Sequence, residues 1–262
     1  MRPFSQVARK LAKPEPFYFS WMTLPGAIVA GQMARLPYEG VCIDMQHGLA
    51  GFTDVAAMSP AITQTGKPLI LRILWNDPGL IGQALDAGAS IVVAPMVNTA
   101  AQAEALVKAA KYAPQGMRSW GGYAAVQAAG VVPADYLKVA NSRTMIFAMI
   151  ETEEALGNLE AIAATPGLDG LFVGPNDLSI SLGFGLGKDL KIPKLEAAIK
   201  SIAAAARKNN LVPGAFGGSP EACGFFAGHG FRFIAAATDV GLLAAGAKAM
   251  QDQLQLSLSH SD

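Results

Sequence analysis

The chain has 262 residues, of which 52% are hydrophobic and 15% are charged, and its 20 basic side chains are balanced by 20 acidic ones. This composition excludes a disordered chain, which needs few apolar and many charged residues. It also excludes a basic field that would hold nucleic acid or an anionic membrane. The length suits one large domain or two small ones, and a single α/β barrel is commonly of this size.

Two observations concern the compartment in which the protein works. The first residues lack the apolar core of a secretory signal, and no uninterrupted apolar run reaches the ~18 residues of a membrane span. Cys42 and Cys223 lie far apart and show neither metal-ligand nor redox spacing. We interpret both as buried thiols in a reducing compartment, and we expect a soluble, cytoplasmic protein.

Short apolar runs alternate with alanine-rich stretches of helical periodicity from one end of the chain to the other. Continuous apolar runs of this length are typical of parallel strands that are buried on both faces. We predict eight strands, at 17–21, 40–44, 69–74, 91–95, 145–151, 170–174, 212–216 and 231–236. We predict helices near 26–35, 53–64, 78–87, 99–111, 153–163, 194–209, 219–228 and 239–256.

These strand–helix repeats predict a (β/α)8 TIM barrel as a single domain over 1–262. An open, doubly wound sheet stays the alternative, because periodicity alone does not establish closure. Two segments depart from the even rhythm: a long insertion at 113–142 after the fourth helix, and a loop at 182–193 after the sixth strand. We interpret both as loops of the strand-exit rim, where long insertions shape active sites.

Two carboxylates follow consecutive predicted strands. Glu151 ends the run at 145–151, and Asp177 comes directly after the run at 170–174. Because the ends of parallel strands meet at one rim, we expect these two hard oxygen ligands to share a divalent cation. The alternatives are structural: Asp177 would cap the following turn, and Glu151 would interact with the dipole of the next helix.

Other polar residues follow strands two and three. Asp44, Gln46 and His47 come at the exit of strand two, and Arg72 follows the buried run Leu-Ile-Leu of strand three. We interpret His47 as a general base, with a satisfied structural histidine as the alternative. An unpaired guanidinium would be costly there, so we expect Arg72 to contact an anionic substrate group or a metal-site carboxylate.

The turn at 174–177 offers backbone N–H groups that can hold a small carboxylate. No dinucleotide-binding glycine motif, phosphate loop or nucleophile elbow is present, so nucleotide and acyl-enzyme chemistry have no support. No predicted strand interior carries a lysine, which a Schiff-base aldolase would need. The sequence therefore favours a metal-stabilised enolate over an imine.

Six motifs occur in an order and spacing that resemble a known family: Ile-Asp-Met-Gln-His-Gly (43–48), Leu-Arg-Ile (71–73), Ala-Leu-Asp-Ala-Gly-Ala (84–89), Val-Ala-Pro-Met-Val (93–97), Ile-Glu-Thr (150–152) and Val-Gly-Pro-Asn-Asp-Leu-Ser (173–179). The chain resembles the HpcH/HpaI family of class II, divalent-metal-dependent 2-oxo acid aldolases over residues 17–240. Members include 4-hydroxy-2-oxoheptanedioate, 2-dehydro-3-deoxyglucarate and 2-keto-3-deoxyrhamnonate aldolases. The resemblance implies a barrel of the phosphoenolpyruvate/pyruvate type.

The resemblance also implies a reaction, the reversible cleavage of a 4-hydroxy-2-oxo acid into pyruvate (or hydroxypyruvate) and an aldehyde. Glu151 and Asp177 would hold Mg²⁺, Mn²⁺ or Co²⁺, which chelates the donor. His47 would be the acid/base, and Arg72 would stabilise the enolate oxygen. The donor carboxylate would be bound by the turn formed by Gly174, Pro175, Asn176 and Asp177.

Family members assemble as hexamers, trimers of dimers, that often exchange the last helix. We therefore expect a homo-oligomer in which helix 239–256 is exchanged, with packing on its own barrel as the alternative. The family also gives Asp86 a role in raising the basicity of His47. Asp86 ends a helix and should lie near the opposite end of its own barrel. Either a neighbouring subunit delivers it, or it is an ordinary helix-end residue.

Two departures from the family pattern concern the substrate. Met149 stands where related aldolases often carry a glutamine near the donor, which implies looser or more apolar donor contacts. In the insertion, Trp120 follows Gly-Met-Arg-Ser where relatives have a Gly-Val-Arg-Gly run, and it would narrow the acceptor end. From this we expect a preference for short hydroxyaldehydes over dicarboxylic semialdehydes.

Two other functions stay open at this point. One is a related enolate enzyme, such as a citramalyl/malyl-CoA-type lyase or a phosphoenolpyruvate mutase relative. The balanced charge gives little sign of the basic site that a CoA ester needs. The other is a non-catalytic barrel that binds a metal or an oxo acid.

Overall fold

The computed structural model describes residues 4–11, 13–187 and 189–259, and its centre is a closed barrel of eight parallel strands. Each strand pairs with the next one along the chain, and β8 pairs with β1. The strands are β1 (Phe17–Met22), β2 (Val41–Asp44), β3 (Leu69–Arg72), β4 (Ile91–Ala94), β5 (Met145–Ile150), β6 (Gly170–Val173), β7 (Val212–Phe216) and β8 (Phe233–Thr238). The predicted barrel is confirmed, and the open sheet is excluded.

The helices surround this barrel. They are α1 (Phe4–Leu11), α2 (Ala27–Met33), α3 (Phe52–Thr63), α4 (Pro78–Asp86), α5 (Ala100–Ala110), α6 (Tyr123–Ala129), α7 (Pro133–Arg143), α8 (Glu153–Gly157), α9 (Leu159–Ala163), α10 (Pro175–Ser181), α11 (Pro193–Lys208), α12 (Pro220–Gly228) and α13 (Asp239–Ser259). None of the described helices is both long and apolar enough to cross a membrane.

Two apolar layers hold the fold together. One layer lies between the sheet and the helices, and its strand residues alternate with those that point into the barrel. The interior layer is aromatic, with the Phe233 ring stacked on Phe19 and Phe147 at centroid distances of 4.3 and 4.5 Å. These rings fill the barrel interior below the strand ends.

Helix α1 closes the opposite end of the barrel, where the strands begin. Val7 and Leu11 are buried in the same cluster as the interior residues Phe17 and Ile91. The sequence analysis predicted no helix there, because eight residues are fewer than the roughly 11–18 over which helical periodicity is assessed. Both cysteines are free and buried, as predicted.

The insertion at 113–142 was wrongly interpreted as a rim loop of the strand-exit end. It joins the end of α5 to the start of β5, and a helix-to-strand connection lies where the strands begin. It also contains two helices, α6 and α7. Gly122 and Gly130, both left-handed, flank α6, and Pro133 starts α7, so turn residues concealed the helices in the sequence.

Helix α13 leaves the barrel after its first turn. Leu242 still packs against the outer core, but every described side chain from 243 to 257 is exposed. Leu243, Met250 and Leu254 are 59–64% exposed, which is unusual for large apolar side chains on one helix. The alternative in which this helix packs on its own barrel therefore holds only for its start.

Candidate active site at the strand-exit end

Asp44 and Arg72 form a buried ion pair at the exits of β2 and β3. Arg72 donates from Nε to Asp44 Oδ1 at 2.7 Å and from Nη2 to Oδ2. The indole Nε1 of Trp21 donates to the same Oδ2 at 3.2 Å, and the Arg72 guanidinium lies 4.9 Å from the Trp21 ring centroid. Asp44 is therefore the partner of Arg72 within the chain, and the expected contact of Arg72 with an anionic substrate group stays a prediction.

The charge state of this pair follows from its contacts. Burial would raise the pKa of Asp44, but the hydrogen bonds and charge of Arg72, with smaller contributions from the His47 N–H and Trp21, hold it below its ordinary value. Asp44 is therefore a carboxylate, and it fixes the guanidinium plane in bidentate geometry. The remaining Arg72 donors are available to a ligand.

A tight turn after β2 places His47 at the same rim. Asp44 Oδ1 accepts hydrogen bonds from the backbone N–H groups of Gln46 (3.0 Å) and His47 (3.3 Å). Gly48 follows because a Cβ at this position would overlap the carbonyl oxygen of Asp44. The carboxylate that orients Arg72 thus also fixes the backbone of His47, whose side chain is exposed.

Glu151 is buried directly after β5, with one carboxylate oxygen satisfied and one not. Oε1 accepts a hydrogen bond from the backbone N–H of Met96 at 2.8 Å, while the buried Oε2 has no hydrogen-bond partner among the described residues. The backbone of Met96 has a φ of 55°, which is uncommon for a residue other than glycine. A Cβ at Gly174 would overlap Oε2, so only glycine leaves room for the acid.

The pKa of Glu151 is raised to about 7. Burial is the main cause; the Met96 N–H opposes it, the charge of Asp177 raises the pKa further and that of Arg72 lowers it. Asp177 is therefore close enough to Glu151 for their charges to interact. A cation bound between the two acids would lower the pKa of Glu151 and favour the ionised form of both side chains.

Both acids lie near the start of a helix, but neither is its N-cap. Gly174 is the N-cap of α10, and Asp177 is a half-buried residue of its first turn. The N-cap of α8 is Thr152, whose hydroxyl accepts from Ala155 N, so Glu151 lies outside that helix. Neither acid caps a helix.

A cavity of about 170 Å³ joins these groups. The predicted residues on its wall are Asp44, His47, Arg72, Met149, Gly174, Pro175, Asn176 and Asp177. Glu151 is not on this wall but behind Gly174. The wall also contains residues that sequence reasoning did not select, namely Trp21, Thr23, Phe172, Phe216 and Thr238. The alternation of Phe17, Phe19 and Trp21 along β1 was a usable signal, because it makes Trp21 the last inward residue.

The donor set fits a hard divalent cation with few protein ligands. Within the described residues no group of three or more His, Cys, Asp or Glu side chains is arranged to hold a metal. The available donors are the unpartnered Oε2 of Glu151 and the carboxylate of Asp177. Mg²⁺-like ions accept such a pair because substrate oxygens and water complete their shell.

Asp86 and Trp120 lie at the other end of the barrel from this cavity. Asp86, the last residue of α4, accepts a hydrogen bond from Arg118 Nη2 at 2.7 Å and lies against Gly121 and Gly122. Trp120 packs beside Tyr112 at a centroid distance of 5.8 Å. The interpretation that Trp120 narrows the acceptor end is therefore wrong for its own barrel.

A closed parallel barrel with a buried acid, a carboxylate-held guanidinium and an exposed histidine at its exit rim defines an enzyme of the (β/α)8 class. Residues 18–245 match the family model for HpcH/HpaI aldolase/citrate lyase, and the chain belongs to this family. The resemblance found from the sequence motifs is thereby confirmed.

Individual relatives agree with this assignment. The chain is 39% identical to the hydroxypyruvate/pyruvate aldolase of Rhizorhabdus wittichii over 89% of its own length and 92% of that protein. It is 36% identical to the 2-dehydro-3,6-dideoxy-6-sulfogluconate aldolase of Pseudomonas putida, covering 86% and 87%. The solved structure of an HpcH/HpaI aldolase/citrate lyase family protein from Burkholderia cenocepacia is 31% identical, with a TM-score of 0.87 and coverage of 97% and 100%.

Proposed function

We propose that this protein is a divalent-metal-dependent aldolase that reversibly cleaves a 4-hydroxy-2-oxo acid into pyruvate or hydroxypyruvate and an aldehyde. The observation that carries the proposal is the buried Glu151 Oε2, which has no hydrogen-bond partner in the described part of the chain. The Glu151 carboxylate interacts electrostatically with Asp177 beside a cavity. Glu151 and Asp177 would hold Mg²⁺, Mn²⁺ or Co²⁺. When bound, such an ion supplies Lewis-acid polarisation of the donor keto group.

Arg72 is the residue that we assign to the developing negative charge. Its guanidinium is fixed by Asp44 and backed by Trp21, so it needs no rearrangement when charge forms on the enolate oxygen. Asp44 is a positioning residue in this scheme. Among the described residues no lysine lies on the cavity wall, which favours this route over an imine.

His47 is the group that we assign to proton transfer. Its backbone is fixed by Asp44 and its side chain lies on the cavity wall. In synthesis it can remove a proton from the donor methyl or hydroxymethyl carbon and give it to the oxygen of the aldehyde as the new bond forms; in cleavage it takes the proton of the 4-hydroxyl group and gives it to the enolate carbon. The turn from Gly174 to Asp177 would bind the donor carboxylate, with Met149 as an apolar wall beside it.

We further propose a homo-oligomer, a hexamer built as a trimer of dimers, in which α13 is exchanged and Asp86 reaches His47 of a second copy. The exposed apolar residues of α13 support the exchange. The Asp86 side chain is 38% exposed beside the exposed Trp120, while Leu49 is exposed next to His47. These two apolar surfaces belong to opposite ends of one barrel, so only two copies can bring them together. We also propose that the enzyme works in the cytoplasm, where free cysteines such as Cys42 and Cys223 stay reduced.

Assays on the purified protein test the reaction. Cleavage and synthesis with pyruvate or hydroxypyruvate and a panel of aldehydes should require metal, stop with EDTA and return with Mg²⁺, Mn²⁺ or Co²⁺. Borohydride with pyruvate should not inactivate the enzyme, because no imine forms. Turnover that persists in EDTA and is trapped by borohydride would contradict the proposal. Release of CoA from a thioester, or oxo-acid binding without any turnover, would favour the alternatives.

Subunit complementation tests the role of Asp86. Asp86→Asn and His47→Ala should each lose most activity as homo-oligomers. If Asp86 acts on a neighbouring His47, subunits mixed by unfolding and refolding should regain part of it, because some sites then contain both wild-type residues. Mixing His47→Ala with Arg72→Ala is the matched control. Both residues belong to the same subunit's cavity, so every site in the mixture lacks one of them and no recovery is expected. Active Asp86→Asn homo-oligomers would contradict the assignment.

A further inference from the structure

Asp239 is a buried carboxylate at the junction between β8 and α13. It is the first residue of α13, and only 2% of it is exposed. Oδ2 accepts hydrogen bonds from the backbone N–H groups of Thr23 at 2.9 Å and Leu24 at 2.8 Å. Oδ1 accepts from the Thr23 hydroxyl at 3.0 Å and from the Val240 N–H at 2.9 Å. Together these four donors fill the acceptor capacity of a carboxylate.

Three of the four donors belong to the segment that leaves β1. Thr23 and Leu24 follow this strand directly, and Thr23 lies on the wall of the cavity of about 170 Å³ that also holds His47. Among the described residues no cation lies within ion-pair distance of Asp239. The cost of burying this charge is therefore offset by the β1 segment and by the start of its own helix.

The β1 segment also holds the turn that places His47. The Thr23 carbonyl accepts a hydrogen bond from the backbone N–H of Leu49 at 2.8 Å. Gly48 lies so close that an added Cβ would be 3.1 Å from the same carbonyl oxygen. The turn is thus held at both ends, by the Asp44 carboxylate before His47 and by Thr23 after it.

The first turn of α13 is the part of this helix that its own barrel fixes. Besides the bonds of Asp239, Gly241 N donates to Thr238 Oγ1 at 3.0 Å, and Leu242 packs against the outer core. The described side chains from 243 to 257 are exposed. Asp239 therefore joins the anchored start of α13 to the rim of the cavity.

We infer that Asp239 is a positioning residue of the active site, which holds the His47 turn and the first turn of α13 in one fixed arrangement. This rests on the proposed aldolase function, in which His47 transfers the proton. Asp239 lies behind Thr23 rather than on the described wall of the cavity, so its effect passes through the backbone of the β1 segment. Proton transfer needs His47 within hydrogen-bond reach of the reacting carbon, and a small displacement lowers the rate even when the donor still binds.

Asparagine has the shape of aspartate but cannot replace this carboxylate. Its amide has a single oxygen, so two of the four bonds to Asp239 would be lost. In either orientation its NH₂ group would face at least one backbone N–H, of Val240 or of Thr23 and Leu24. Asp239→Asn therefore releases the β1 segment with almost no change in side-chain volume.

Steady-state kinetics of Asp239→Asn give the first test. We expect kcat to fall about tenfold through the displacement of His47, and the KM of pyruvate to stay within about twofold because the turn at 174–177 is untouched. Asp169→Asn is the matched control. Asp169 holds the Ile146 N–H at 2.8 Å where the strands begin, so this change should leave kcat unchanged.

Two double variants show through which group Asp239 acts. The rate is followed as metal-dependent exchange of the pyruvate methyl hydrogens for deuterium, which needs no aldehyde. The loss caused by Asp239→Asn should vanish in His47→Ala, where no base is left to place, and should persist in Asp86→Asn, because the contacts lie within one chain. An equal loss in His47→Ala would indicate a general structural effect, and a loss that vanishes in Asp86→Asn would indicate an effect on assembly. Either result would overturn the inference.

Amide hydrogen exchange tests the contact without any assay of activity. In Asp239→Asn the amides of 46–49 should exchange about tenfold faster, while those of β3 should keep the wild-type rate. If this variant does not fold, Thr23→Val removes only the hydroxyl bond and should show a severalfold effect, which Thr23→Ser should reverse. Unchanged exchange at 46–49, or a kcat within about twofold of wild type, would overturn the inference.

Failure of the proposed function is visible in the wild-type protein. If it shows neither deuterium exchange into pyruvate nor turnover with metal present, the aldolase proposal fails. Amide exchange at 46–49 then decides alone whether Asp239 holds the His47 turn. If wild-type turnover is normal and Asp239→Asn matches it, the aldolase proposal stands and the positioning role is wrong.

Discussion

At the scale of single residues, the site depends on one carboxylate with several tasks. Asp44 holds the guanidinium of Arg72, accepts from Trp21 and fixes the turn that places His47. The strand register pairs Asp44 with Arg72, so the two side chains leave their strands at the same height and on the same face. Because the Asp44 carboxylate also bonds Trp21 and the turn before His47, it holds its cation only if that side chain offers the planar, two-pronged donors of arginine.

Arg72→Lys tests this geometry because it keeps the charge and loses the fork. We expect kcat to fall about 100-fold, the loss typical of a misplaced oxyanion donor, with a smaller change in the aldehyde KM. The measurement is steady-state aldol cleavage with saturating metal. Arg35→Lys is the control, because the Arg35 side chain donates to the Gly31 carbonyl, away from the cavity. A kcat within threefold of wild type, on the order of 0.7 kcal/mol, would remove Arg72 from the mechanism.

Glu151 predicts a pH effect on stability in the metal-free protein. Its pKa is raised from 4.5 to about 7, so the folded state binds the proton more tightly than the unfolded state does. The stability that protonated Glu151 contributes is fully present below the pKa of the unfolded state. It is lost as the pH rises toward 7, which lowers the free energy of unfolding by up to ~3 kcal/mol.

Urea unfolding in EDTA at pH 5 and pH 8 measures this effect. Glu151→Gln should remove the part of the pH 5 to pH 8 difference in unfolding free energy that comes from Glu151. At pH 8 the metal-free variant should therefore be more stable than the wild type. Glu153→Gln, an exposed acid paired with Lys194, should leave the wild-type pH dependence unchanged. Identical pH profiles for wild type and Glu151→Gln would contradict the origin of the shift.

At the scale of elements, the repeated strand–helix units could be predicted from the sequence, and the additional helices outside this repeat were missed. The eight strands could be predicted because both of their faces are buried, which forces a continuous apolar run in each. Helices α1, α6, α7 and α10 were missed because they are short or begin directly at turn residues. The rim acids and His47 could be predicted from strand exits. The Met96 bond to Glu151 could not, because it depends on a left-handed backbone.

Helix α1 gives the prediction at this scale. Leu11 is buried against the base of the aromatic interior, so Leu11→Ala should cost about 2–4 kcal/mol of unfolding free energy through lost burial and the cavity left behind. Leu137→Ala, half exposed on α7, is the control and should cost under ~1 kcal/mol. Denaturant unfolding measures both. Equal small losses would mean that α1 does not close the barrel.

At the scale of the whole molecule, the two ends of the barrel have different surfaces. The exit end holds the acid pair, the guanidinium and the cavity, while the entry end is closed by α1 and carries Asp86 with the exposed Trp120. Helix α13 extends from the exit end without covering its own barrel. Such unpartnered apolar surface is costly in water, and contact with other copies would remove that cost.

The assembly prediction follows from α13. Light scattering should give the full chain a mass that is a multiple of 27.2 kDa, six times in the proposed hexamer. Replacing Leu243 and Met250 together by glutamate places two charges in the proposed interface and should reduce the mass and the activity in parallel, since Asp86 would no longer reach a neighbouring His47. Lys248→Ala, on the same helix and paired with Asp252, is the control and should keep both. A wild-type chain that is monomeric and fully active would contradict the exchange of α13 and the delivery of Asp86 together.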